Sequence, residues 1–145
     1  MWVDVHNIDE LQEGDVIEFV SKVPDTSFIF AGTEVPFVLH YGIVLIQNGI
    51  KKLGHNTFQN YPKIDDIAQT LNGRQIKRVC RTGMKSEDIL NNHNKIINIK
   101  YDVLKSNCED YVFKVTGIRP GIDQRAIWIV GLVIIIMILI LVFRK

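Results

Sequence analysis

Cys108, His40 and His55 are the residues whose types and places in this chain suit breaking an acyl bond. Cys108 falls in Leu104-Lys105-Ser106-Asn107-Cys108-Glu109-Asp110-Tyr111-Val112, which reads as the start of a helix. Ser106 and Glu109 fit a capping box, in which the hydroxyl takes a backbone N–H and the carboxylate reaches back to the cap. Val112, Val115 and Ile118 recur every third residue as the buried stripe of that helix. A thiol about two residues inside a helix start meets free N–H groups and the positive end of the dipole, which favour the attacking thiolate. Glu109 and Asp110 oppose ionisation, because negative charge beside a thiol stabilises its neutral form. A base is therefore required from elsewhere in the chain. The bland alternative is a cysteine buried as a small hydrophobe.

His40 is the first candidate for that base. It is the one polar interruption in FVLHYGIVLI, residues 37–46, the most strand-like run of the sequence, and Gly42 leaves room on the same face. Asn48-Gly49 is a hairpin signal, with Ile50 to His55 as the returning strand. Pairing across that turn brings His40 and His55 near each other, one as base and the other as its orienter. A histidine satisfied inside the core is the competing reading of His40. His6 and His93 have polar neighbours and read as surface residues. Cys80 and Cys108 with histidines lack the close ligand pairs of a zinc site, so neither a metal nor another cofactor is expected.

The remaining elements must position these groups. Asp9 to Asp15 reads as a turn and Val16 to Val20 as a strand. Residues 21–36, with Pro24, Gly32 and Pro36, read as a long loop or weak hairpin. Ile64 to Leu71 reads as a short helix ended by Asn72-Gly73, and Gln75 to Arg81 as a strand with Val79 and Cys80 on opposite faces. Ser86 opens a helix to about Ile97, with Ile89, Leu90, Ile96 and Ile97 inward.

At 145 residues the chain suits one domain, and its net charge of +1 gives no field for nucleic acid. No basic start followed by an apolar run opens it, so free thiols are favoured over a disulfide. From Ala126 to Phe143 run eighteen residues without a charge. At about 1.5 Å per residue they reach about 27 Å, close to a bilayer core of about 30 Å. Arg125 precedes them, Arg144-Lys145 follow, and Trp128 stands where an interfacial aromatic would. A buried core helix would not be apolar on every face. The expectation is a thiol domain over residues 1–122 and a transmembrane tail anchor over 126–143, with the domain in the cytosol. The basic pair at the end would then cross the membrane, against the positive-inside tendency.

Gly14-Asp15-Val16-Ile17-Glu18, His40-Tyr41-Gly42-Ile43-Val44 and Asn107-Cys108-Glu109-Asp110-Tyr111-Val112 follow one another in a familiar order. Together they resemble the lecithin retinol acyltransferase-like proteins, a permuted branch of the NlpC-type, papain-like thiol hydrolases. The resemblance spans most of residues 11–118. It implies an α+β fold, an antiparallel sheet packed on helices, with histidine strand first and cysteine helix last. It implies Cys108 as the nucleophile that takes an acyl group, His40 as its general base, and His55 as the second histidine, at longer spacing than the family's usual one. Asp110 stands where a histidine is common and Tyr111 where a phenylalanine is, and the long segment from Ser21 to Leu39 is placed to cover the site.

The resemblance and the anchor together imply a cysteine-dependent hydrolase or acyltransferase. Its partner is the lipid bilayer, and a phospholipid is the first choice of substrate because a tethered site meets lipid at high effective concentration. A peptidase or amidase with the same residues and a non-catalytic membrane-bound scaffold are the alternatives.

Overall fold

The computed structural model describes residues 2–5, 7–21, 29–30, 33–34, 38–57, 60–102, 105–120 and 124–143. In chain order the elements are β1 (Trp2–Val3), β2 (Asp15–Ser21), β3 (Ile29–Phe30), β4 (Thr33–Glu34), β5 (Val38–Gln47), β6 (Ile50–Asn56), β7 (Pro62–Asp66), α1 (Ile67–Leu71), β8 (Ile76–Arg81), α2 (Ser86–Ile96), α3 (Cys108–Thr116) and α4 (Gln124–Phe143). A short 3-10 helix at Ile8–Glu10 precedes β2. The fold is α+β: six strands form one sheet in the order β1-β8-β2-β5-β6-β7, and β3 and β4 pair separately. Every pairing in both sheets is antiparallel.

Apolar layers cover both faces of the sheet, and this explains why β5 reads as a continuous apolar run rather than an alternating one. Successive side chains point to opposite faces. Val44 therefore joins Ile17, Phe19, Leu53, Val79 and the α1 residues Ile67 and Leu71 on one side. Ile43 and Leu45 join Val16, Cys80, Ile89 and the α3 residues Tyr111, Val112 and Val115 on the other. Val79 and Cys80 thus face opposite ways, as their strand position implies. Asn48 (φ 52) and Gly49 (φ 76) form the left-handed pair of a two-residue hairpin turn, which joins β5 to β6 with Gln47 opposite Ile50.

Several expectations shift. The segment from Ile64 to Leu71 is not one helix: β7 continues to Asp66, whose carboxylate then caps α1 by accepting from the N–H groups of Ala68 and Gln69. A side chain that can take two backbone N–H groups ends the strand and starts the helix. Ile97 is 40% exposed, just past the end of α2, so the inward stripe of that helix stops short of it. His93 is 3% exposed, not a surface residue; its Nδ1 and the Tyr111 hydroxyl are 2.9 Å apart between α2 and α3. His6, Arg144, Lys145 and most of the segment from Ser21 to Leu39 lie outside the described residues.

α4 carries the apolar run noted in the sequence. From Ile129 to Leu141 its large apolar side chains are 42–69% exposed. Among the described residues no helix is long and apolar enough to cross a membrane. The side chains described without a break in α4 are those of 129–141. At about 1.5 Å per residue they span only about 20 Å, whereas the uncharged run itself begins at Ala126.

Candidate active site

The β5–β6 hairpin sets the two histidines. His55 lies opposite Gly42, and His40 is two residues from Gly42 on the same face. A Cβ at Gly42 would come within 2.8 Å of the Leu53 side chain, so a larger residue there would have to shift Leu53. His40 Nε2 and His55 Nδ1 are 3.0 Å apart. Their rings meet edge to face at 5.3 Å, and Phe19, the cross-strand partner of His40, closes on His40 in the same manner at 5.1 Å.

A third member was missed in the sequence. Asp65 of β7 stands opposite Leu53, on the face shared with His55, and its Oδ2 is 3.0 Å from His55 Nε2. Lys63 Nζ lies 2.6 Å from the same oxygen. As part of an assumed helix Asp65 had no reason to face His55. The signal that could have found it is the register of a strand returning after β6.

Burial pushes His40 down to about 3, aided by His55, Arg74 and Lys63. Burial also lowers His55, and the hydrogen bond and charge of Asp65 oppose this only in part. Both imidazoles are therefore neutral at neutral pH. A cleft of about 420 Å³ opens beside His55, Lys63, Asp65 and Arg74; neither His40 nor Cys108 lines it.

Cys108 is the first residue of α3, and the cap differs from the expected one. Asn107, not Ser106, is the N-cap: its side chain accepts from Asp110 N–H at 3.0 Å, and Asp110 Oδ2 accepts from Asn107 N–H at 3.2 Å. Ser106 is held one step earlier, its N–H and carbonyl both bonded to Asp102. The Asn56 amide donates to the Ser106 carbonyl at 2.9 Å, fastening the end of β6 to the turn before the cysteine. Close contact along α3 comes from Gly54, where a Cβ would lie 2.5 Å from the Tyr111 hydroxyl.

Cys108 is 2% exposed. Burial pushes its thiol up to about 12; the backbone N–H groups of Tyr41, Cys108 and Glu109 pull the other way, and the Glu109 charge adds to the rise. Tyr41 is itself fixed: its hydroxyl donates to Glu18 Oε2 at 2.7 Å, which also takes two N–H groups of Arg78.

The structure joins His40, His55 and Asp65 into one chain on one face of the sheet. It brings Cys108 to the same strand from the other face, against the N–H of Tyr41, the residue that follows His40. Cys80 packs in the same apolar cluster as Cys108, and both are free thiols. Among the described residues no group of His, Cys, Asp and Glu is arranged to hold a metal ion. Chemically, the site offers a neutral, buried thiol at a helix start, and a neutral imidazole held by a second one. No family model, curated protein or solved structure matches the chain.

Proposed function

We propose that this chain is a membrane-tethered, cysteine-dependent acyl hydrolase or acyltransferase of the lecithin retinol acyltransferase-like, papain-related kind, acting on phospholipid acyl esters. The observation that carries the reading is Cys108 buried at the capped start of α3 and packed with Tyr41, the residue that follows His40.

For the proposed reaction the His40 ring must reach the Cys108 face of β5; the thiol then gives its proton to His40 as sulfur attacks the ester carbonyl. The S–C bond forms, and the carbonyl π pair moves onto oxygen. The N–H groups around the sulfur suit that developing oxyanion. When the intermediate collapses, the C–O bond to the leaving alcohol breaks, and His40 returns the proton to that alcohol. Water or an amine then attacks the thioester, delivers its proton through His40 and restores the thiol. With the thiol raised to about 12 and His40 lowered to about 3, the resting pair is neutral. Proton transfer thus accompanies attack rather than preceding it. His55 orients His40.

The anchor reading rests on the uncharged run Ala126–Phe143 and on the exposure of the apolar side chains from Ile129 to Leu141. A helix of this kind leaves water only by entering lipid or another apolar surface. A domain over residues 1–122 held at the bilayer by residues 126–143 meets phospholipid at high local concentration.

The experiment is intact-mass measurement of the full chain after incubation with phosphatidylcholine vesicles. An acyl mass on Cys108, absent in Cys108→Ala, supports the reading. An adduct formed only with peptide esters or amides would identify a peptidase or amidase instead. No adduct with either, and no product, would leave a scaffold.

A further inference from the structure

We propose that Asp65 is a positioning residue of this site, which acts through His55 to fix His40 with its proton on Nε2 and its lone pair on Nδ1. The inference rests on the reading of His40 as the base for Cys108. It adds a residue and names the atom that receives the proton.

The hydrogen bonds fix the tautomers one after another. Burial would raise the Asp65 carboxyl, but the Lys63 ammonium and the His55 N–H hold it below its usual range, so it is a carboxylate at neutral pH. A carboxylate only accepts. The 3.0 Å contact between Asp65 Oδ2 and His55 Nε2 therefore requires the proton on Nε2. His55 is neutral, so its Nδ1 carries a lone pair, and the 3.0 Å contact to His40 Nε2 requires His40 to donate. His40 Nδ1 is left without a proton and free to take one.

Without the carboxylate, no fixed partner selects the His55 tautomer, and His55 Nδ1 is no longer held as an acceptor for the His40 N–H. Lys63 stiffens the arrangement. It lies opposite His55 in the strand register and bonds the same Asp65 oxygen at 2.6 Å, so the carboxylate is held from both sides. Asp65 lies on β7, the end strand of the sheet, and is 35% exposed. It can thus be altered with little loss of core.

The test compares the full-length chain with Asp65→Asn and Asp65→Glu in detergent micelles. Imidazole ¹⁵N shifts are read in a Cys108→Ala background, where turnover cannot interfere, and ester turnover is read with Cys108 present. The expected result is His40 protonated on Nε2 with Asp65 present, and mixed tautomers in Asp65→Asn. That variant should lose about 10–100-fold in kcat with little change in KM, as when a hydrogen-bond partner behind a functional histidine is removed. Asp65→Glu should recover part of both signals. A proton on His40 Nδ1 in the parent, or tautomers and kcat both unmoved in Asp65→Asn, overturns the proposal. So does a tautomer change without a change in kcat. If the tautomers behave as expected while Cys108→Ala turns over ester like the parent, the reading of Cys108 fails and the hydrogen-bond assignment survives.

Discussion

At the scale of the residue, the cysteine and its two histidines stood out because their types are scarce and their settings unusual. His40 interrupts an apolar strand, and His55 follows a two-residue turn that fixes the register between them. The cap was legible as a class but not in register, since Ser106–Glu109 and Asn107–Asp110 offer the same three-residue spacing. The Asp102–Ser106 backbone pair decides for the second. His93 misled because its sequence neighbours are polar, while its own side chain reaches inward to Tyr111. Two sets of predictions belong here, one on the thiols and one on His40. Cys108→Ala should abolish turnover and Cys80→Ala should change it little. In the parent, alkylation of Cys108 by iodoacetamide should be slower at pH 7 than that of a free thiol, because burial holds the thiol up to about 12. Alkylation faster than a free thiol would mean a preformed thiolate–imidazolium pair. The second set follows from His40, lowered from 6.5 to about 3 by burial. Between those values the unfolded chain binds a proton that the folded imidazole refuses. The stability that His40 contributes is therefore fully present above about pH 6.5 and is lost as pH falls toward about 3. Thermal unfolding from pH 7 to 5 should show the drop, and His40→Gln should flatten it. His55 and His93, also lowered by burial, keep the variant from being wholly flat.

At the scale of the element, the strands of the hairpin and α3 were readable because apolar runs and turn residues agree with each other. What failed was the stretch Ile64–Leu71, whose residues suit either a strand or a helix. Tertiary pairing with β6 claims its first half and the Asp66 cap claims the second. Asp65 went unseen for the same reason. How closely α3 sits on the sheet was also beyond reach of pattern, because it depends on the absent side chain of Gly54. Gly54→Ala should push the Tyr111 hydroxyl off the strand, disturb its contact with His93 and tilt the start of α3. Overpacking of this kind typically costs about 1–3 kcal/mol. A lowered Tm together with faster alkylation of Cys108 is the expected pair of results. An unchanged Tm would mean that α3 accommodates the methyl group without strain.

At the scale of the whole molecule, the sheet with its two apolar layers and the helix α4 have opposite relations to water. The sheet buries most of its apolar residues, whereas α4 displays them from Ile129 to Leu141. Cutting the chain after about Asp123 should therefore remove no core and no titratable group of the site. On the proposed reading, the uncharged run that goes with the cut would supply location rather than chemistry. The shortened chain should turn over small soluble esters about as well as the parent. It should lose much more activity on phospholipid in vesicles, because a free domain finds the surface by collision while a tethered one stays beside it. Both chains can be assayed on one soluble ester and on vesicles of phosphatidylcholine at equal protein concentration. Equal loss on the two substrates would mean that α4 supports the fold. Equal retention would remove the reason for preferring a lipid substrate, since an enzyme acting on soluble peptides or amides gains nothing from the tether.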